Sequence, residues 1–126
     1  MVKQGHGGSI IAISSISALQ GGRMQVHYTP TKAAIVSMIQ SMAISMGAHN
    51  IRCNALMPGT IRTQLSEEEI SDETRRKALE AKIPLARAGE PQDIAGPAVF
   101  LACEQMSGFV TGAGLLADGG MFAYLQ

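Results

Sequence analysis

Ile10-Ile11-Ala12-Ile13-Ser14-Ser15 is a short apolar run, fed by a turn at Gly5, Gly7 and Gly8 and closed by two serines. Bounded in this way, it reads as a strand buried on both faces, as in a parallel sheet. Outward from it lies a loop holding Gly21-Gly22. A helix then starts near Tyr28, with Pro30 tolerated in its first turn, and runs to about Met46-Gly47. Ile51 to Met57 is a second apolar strand, ended by Pro58-Gly59. The stretch from Ser66 to Lys82 is charged and helix-prone, with Glu67, Glu68 and Glu69 early and Arg75, Arg76 and Lys77 late, as the helix dipole favours. A further helix is expected from Pro91 to about Cys103 with Asp93 in its first turn, and a last strand from Gly112 to Ala117 before Asp118-Gly119-Gly120. Buried strands alternating with helices specify an α/β layered fold with right-handed crossovers. Three parallel strands leave an inner edge unpaired, so residues 1–126 read as one unit, the C-terminal half of a doubly wound parallel-sheet Rossmann fold.

The 126 residues carry ten basic and ten acidic side chains, a formal net charge of zero. Without a basic stripe or an acidic tail, nothing points to nucleic acid or to a cationic partner. Hydrophobic residues make up 46% of the chain and mean hydropathy is +0.14, which suits a piece whose faces are covered by further chain or by other subunits. No apolar run approaches the roughly 18 residues of a membrane helix. The opening Met-Val-Lys-Gln-Gly-His-Gly-Gly has no signal-peptide core, and a cytoplasmic protein is expected. Cys53 and Cys103 read as buried free thiols. His6, His27 and His49 are too scattered for a metal site.

The residues that carry chemistry are Ser15, Tyr28 and Lys32. Tyr28 and Lys32 stand one turn apart at a helix start, so both project from one face. A free phenol titrates near 10. An ammonium about 4 Å away, at an effective dielectric near 20, favours the phenolate by roughly 4 kcal/mol. A Tyr-x-x-x-Lys pair is therefore a way to build a general acid/base. Ser15, at the end of the preceding strand, can hold the oxygen of a reacting alcohol or ketone beside the phenol.

These runs, with Tyr28-Thr29-Pro30-Thr31-Lys32-Ala33-Ala34, Asn54-Ala55-Leu56-Met57-Pro58-Gly59-Thr60-Ile61-Arg62-Thr63, Glu90-Pro91-Gln92-Asp93-Ile94-Ala95 and Thr111-Gly112 to Asp118-Gly119-Gly120, resemble the short-chain dehydrogenase/reductase family in order and spacing over essentially the whole chain. The resemblance implies a nicotinamide cofactor, NAD or NADP, and assigns Tyr28 as catalytic acid/base. It implies that Lys32 bonds the nicotinamide ribose and stabilises the phenolate, and that Ser15 clamps the substrate oxygen. Pro58 and Gly59 would face the nicotinamide, with the Ile61 backbone and the Thr63 side chain near its carboxamide; a solvent-facing loop threonine is the other reading of Thr63. Residues 63–82 correspond to a mobile lid over the substrate. The finer resemblance is to the L-rhamnose 1-dehydrogenase subfamily, which oxidises the anomeric hydroxyl of a sugar. It rests on Ser15-Ile16-Ser17-Ala18, His27 to Lys32, Arg52-Cys53-Asn54-Ala55, Asp93 to Ala98 and Leu125-Gln126, and it makes Ser17 a further substrate-binding hydroxyl.

The family's Gly-rich phosphate turn and its upstream relay asparagine have no counterpart here. Thr111-Gly112-Ala113-Gly114 opens a strand rather than a helix and fails as a dinucleotide fingerprint. Met1 then reads as an internal methionine or a truncated start, and the isolated chain is expected neither to bind cofactor tightly nor to turn over. A stripe of Ile35, Met38, Ile39, Met42, Ala43 and Met46, widened by Val36, and the apolar stretch from Gly120 to Gln126 suggest a homo-oligomer, a dimer or tetramer. Two rival readings remain: a serine hydrolase using Ser15, His27 and Asp118, which lacks a G-x-S-x-G elbow, and a non-catalytic interaction module.

Overall fold

Gly7 adopts a φ of 72°, and a Cβ there would lie 2.5 Å from the Asn50 carbonyl oxygen. That close approach lets the Gly8 N–H donate to the same oxygen at 3.1 Å, so the two strands that follow start level. The computed structural model describes residues 1–124, with Glu68 and Glu69 described by backbone alone. Its elements are β1 (Gly8–Ile13), α1 (Thr29–Met46), β2 (Ile51–Pro58), α2 (Glu67–Ile70), α3 (Glu73–Glu80), α4 (Pro91–Ala102), α5 (Glu104–Ser107), β3 (Gly114–Ala117) and α6 (Met121–Tyr124). The strands form one parallel sheet in the order β1-β2-β3, the α/β architecture expected from the sequence. Among the described residues, no helix is long and apolar enough to cross a membrane.

Strand β2 is buried from Ile51 to Met57. One set of its side chains, Ile51, Cys53, Ala55 and Met57, packs with Ile39 and Ala43 of α1 to form the core, with Val36, Met42 and Met46 against it. The other set faces α4 and α5. Ser9, paired in register with Arg52, donates its hydroxyl hydrogen to the Leu101 carbonyl at 2.8 Å. Arg52 donates to Ser107 Oγ at 3.0 Å.

Helices thus cover both sheet faces, as in a doubly wound fold. They also correct one expectation. The connections β1 to β2 and β2 to β3 step in the same direction across the sheet but pass over opposite faces, so they have opposite hands. The right-handed rule describes a strand feeding a short crossover helix. The second connection, residues 59–113, holds three helices before α5 and is long enough to pass round the sheet.

Five further expectations are refined. β1 is half-buried rather than buried on both faces, and Ile13 is 51% exposed, because β1 pairs on one side only. The charged, helix-prone stretch divides into two helices: Asp72 turns extended and caps the Arg75 N–H at 2.8 Å, starting α3 separately from α2. The last strand begins at Gly114, since Gly112 has a φ of 73° and only turns the chain into the sheet. Cys53 is buried, but Cys103 is only partly so, because it lies at the exposed end of α4. Burial without a nearby cation raises the Cys53 thiol above its ordinary value. On α1, Met38 of the predicted apolar stripe is 51% exposed while Ile39 and Ala43 are buried, so the stripe is shared between the core and solvent. Leu125 and Gln126 lie outside the described residues.

The start of α4 follows its sequence closely. Pro91 occupies the first turn, where no N–H is needed. Asp93 accepts from the Glu90 N–H at 2.7 Å and from both terminal nitrogens of Arg87 at 2.6 and 3.0 Å. These hydrogen bonds, that to Arg87 foremost, hold the Asp93 carboxyl down at about 2.

Candidate active site

The site begins where β1 ends. Ser14 continues the ladder by donating its N–H to the Leu56 carbonyl at 2.8 Å, and its buried hydroxyl donates to the Lys32 carbonyl at 2.8 Å. Ser15 is extended (φ −168°) and caps a short 3₁₀ turn, its Oγ accepting from the Ser17 N–H at 3.1 Å. Ser17 in turn donates its hydroxyl hydrogen to Gln25 Oε1 at 3.0 Å. The Gln25 carbonyl accepts from the Tyr28 and Thr29 N–H groups, each at 2.9 Å, so the loop closes in the turn that launches α1. One turn further, Lys32 Nζ donates to the Ile13 carbonyl at 3.2 Å and sits 5.4 Å from the centroid of the Tyr28 ring. Lys32 is therefore tied twice to the end of β1, by its main chain through Ser14 and by its side chain through Ile13.

A second wall comes from the end of β2. The Gly59 N–H donates to the Ala117 carbonyl at 3.1 Å, and a Cβ on Gly59 would lie 2.8 Å from Asp118 Cα. Only glycine lets the two strand ends approach this closely. Beyond it, the Thr60 carbonyl and the Arg62 N–H both pair with Gly89, at 2.9 and 2.8 Å. The alternation of a strand then turns the Ile61 N–H and carbonyl away from Gly89. Ser66 Oγ donates to that carbonyl at 2.6 Å and accepts from the Thr63 N–H at 3.1 Å. Arg62 anchors the segment through Glu80 at 3.1 Å and Glu90 at 3.3 Å.

Between the walls lies a cleft of about 710 Å³. Ser15, Ser17, Tyr28, Lys32, Pro58, Gly59, Ile61 and Thr63 all line it, so the structure brings every site residue expected from the sequence to one place. It also brings Gln25, which the sequence reading passed over because only its fold-back onto Ser17 puts it there. Ser14 was passed over too: a serine pair at a strand end looks like a turn, and its partner Lys32 is remote in sequence.

Among the described lining residues there is no carboxylate, and Lys32 is the one lysine or arginine. Lys32 Nζ stands 5.4 Å from the centroid of the Tyr28 ring, and a cation there attracts a negative charge beside it. A negative charge developing on an oxygen in this cleft is therefore favoured. Asp118 does not join the group: its two oxygens accept from the Gly120 and Phe122 N–H groups at 2.9 and 2.8 Å, and it lines a different cleft. A Ser15-His27-Asp118 hydrolase triad loses its orienting acid.

A family model described as enoyl-(acyl carrier protein) reductase matches residues 1–122. The chain is 62% identical over its whole length to L-rhamnose-1-dehydrogenase of Scheffersomyces stipitis, covering 48% of that protein. It is 57% identical, again over its whole length, to L-rhamnose 1-dehydrogenase (NAD(P)(+)) of a Sphingomonas species, covering 49% of it. The chain thus spans about half the length of the curated relatives it matches. Among solved structures, a short-chain type dehydrogenase/reductase from Mycobacterium ulcerans superposes with a TM-score of 0.91 at 36% identity, over 98% of this chain and 44% of the other.

Proposed function

The chain belongs to the short-chain dehydrogenase/reductase family, and on that premise we propose that residues 1–126 are the C-terminal catalytic half of an enzyme that moves a hydride between a sugar hydroxyl and NAD or NADP, with L-rhamnose as the favoured substrate. The observation that carries this reading is the placement of Lys32 beside the Tyr28 ring and the end of β1, with Ser15 in the same carboxylate-free cleft. Tyr28 takes the proton of the reacting hydroxyl in oxidation and returns it in reduction. Lys32 stands beside the Tyr28 ring, its Nζ 5.4 Å from the centroid. Ser15 holds the reacting oxygen; its Oγ already accepts from the Ser17 N–H, which leaves its own hydrogen to donate.

The residues present fit the nicotinamide end of a dinucleotide. Lys32 has spent one of three N–H bonds on Ile13, the Ile61 N–H is turned from its bridge to Gly89, and Gly59 offers a flat wall without a side chain. In this reading Lys32 bonds the ribose, and Ile61 and Thr63 meet the carboxamide. When bound, the nicotinamide supplies the hydride acceptor or donor; the chain's own part is to orient the ring and move the proton.

Residues 63–82 act as a lid over the substrate, a reading supported by Leu65, which lines the cleft yet is 92% exposed. The exposed Met38 and Ile44 on α1 support a homo-oligomer, dimer or tetramer. Two free thiols support a reducing, cytoplasmic setting, and zero net charge supports a small-molecule rather than a nucleic-acid partner.

The test joins this chain behind the first half of the Scheffersomyces stipitis relative and follows nicotinamide reduction by absorbance with L-rhamnose. The joined protein is expected to turn over and its Tyr28→Phe variant to lose at least about 10²-fold in kcat. Full activity of Tyr28→Phe would end the assignment. The isolated 126-residue chain is expected to bind NAD(H) and NADP(H) more weakly than micromolar; tight binding by this half alone contradicts the need for the other.

A further inference from the structure

We propose that Ser66 is a positioning residue for the nicotinamide end of the cofactor, acting through the main chain of Ile61 and Thr63. This rests on the dehydrogenase reading of the cleft and adds to it a residue, on the first turn of the lid, whose hydroxyl is spent on the chain itself.

Beyond β2 the chain pairs on one side as a strand would, the Thr60 carbonyl and the Arg62 N–H meeting Gly89 at 2.9 and 2.8 Å. Strand alternation turns the Ile61 carbonyl and the Thr63 N–H to the other side, where, among the described residues, no strand runs. Ser66 Oγ fills that place. It donates to the Ile61 carbonyl at 2.6 Å and accepts from the Thr63 N–H at 3.1 Å. These are the two bonds that one residue of a parallel neighbour would make with its N–H and carbonyl, and here a single hydroxyl makes both. A hydroxyl carries one hydrogen. The Thr63 carbonyl, 3.0 Å from Oγ, already accepts from the Ser66 N–H at 3.0 Å, so the hydroxyl hydrogen goes to the shorter contact at Ile61.

A helix cap alone does not account for this arrangement. Accepting from the Thr63 N–H is half of a capping box. The bond to Ile61 reaches past the cap and ties the first turn of the lid to the wall of the cleft. Among the described residues, neither the Ile61 carbonyl nor the Thr63 N–H has another protein partner. Ser66 thus fixes the peptides on both sides of Arg62. Ile61, Thr63 and Ser66 all line the cleft, and the first two carry the groups assigned to the carboxamide. Removing the hydroxyl frees both peptides to rotate, and the cost falls on the end of the cofactor that carries the ring.

The experiment uses the joined protein described above and reads binding by calorimetry. The paired ligands are NADH or NADPH, whichever binds more tightly, and the same molecule without its nicotinamide ring (ADP-ribose or its phosphorylated form). Ser66→Ala is expected to weaken the whole dinucleotide roughly three- to tenfold, the worth of one net hydrogen bond, and to leave the ring-free ligand within about twofold of wild type. Ser66→Thr, which keeps the hydroxyl, is expected to bind both as wild type does. Equal weakening of both ligands by Ser66→Ala would show that Ser66 only supports the fold and would overturn the proposal. Unchanged binding of both would overturn it too, as would a Ser66→Thr protein no better than Ser66→Ala. A wild-type joined protein that binds neither ligand defeats the dehydrogenase reading itself, and this inference with it, before any variant is made.

Discussion

Replacing Gly59 by alanine tests whether the approach of two strand ends sets the geometry of the cleft. The new Cβ would lie 2.8 Å from both Asp118 Cα and Asp118 Cβ and 3.3 Å from the Asp118 carbonyl oxygen. Non-bonded carbons prefer about 3.5–4.0 Å, so the ends of β2 and β3 must part by roughly 0.7–1.2 Å. The atoms met are Asp118 Cα, Cβ and carbonyl oxygen, not the far end of a flexible side chain, so no rotamer change relieves the clash. Overpacking of this kind costs about 1–3 kcal/mol, and the Gly59 hydrogen bond to Ala117 is strained along with it. The same turn carries Pro58 and Ile61 into the cleft, and a misplacement near 1 Å lowers catalysis by about 10²-fold. The matched control is Gly47→Ala. No atom lies within 4 Å of its added Cβ, and its φ of −57° and ψ of −39° are helical, so that change is expected to be neutral or to stabilise by about 0.4–1 kcal/mol. Urea denaturation and kcat/KM of the joined protein read both effects. Gly59→Ala that unfolds at the wild-type midpoint and keeps activity within twofold would refute the reasoning.

Three further outcomes are expected. Ser14→Ala removes the hydroxyl that holds the Lys32 carbonyl and should lower stability by about 0.5–1.5 kcal/mol with a fall in kcat; an intact kcat would show that Lys32 needs no such tether. Asp93 has a folded value of about 2 against an ordinary 3.8, so its stabilising contribution is complete above pH 3.8 and is lost as the pH falls toward about 2. Denaturation midpoints of wild type and Asp93→Asn should therefore differ at neutral pH and converge across that window, and a gap that does not narrow there would contradict the Arg87 and Glu90 contacts. Of the two thiols, Cys103 should react with a water-soluble disulfide reagent in the folded protein, whereas Cys53, buried and with its thiol raised, should react only after unfolding; peptide mass spectrometry after short exposure distinguishes them, and early modification of Cys53 would show that β2 is not sealed.

Much of this molecule was settled by order along the chain. The run from Ile51 to Met57 was legible as a strand from the alternating apolar residues Ile51, Cys53, Ala55 and Met57, whereas the partners of Arg52 and Asn54 on its other face were not. The pairing of Tyr28 with Lys32 followed from helical periodicity, a property of five consecutive residues, and so did the start of α4 at Pro91 with Asp93 behind it. Interactions that join remote segments were not legible. That Ser14 tethers Lys32, that Ser17 spends its hydrogen on Gln25, and that Arg52 reaches Ser107 depend on which side chains meet after folding. The sequence likewise expected one hand for both crossovers, and only the packing of α4 opposite α1 decided otherwise. Local pattern determines what an element is and which way it faces; which remote element lies against that face, and hence where each polar hydrogen goes, is decided by the closing of long loops in three dimensions.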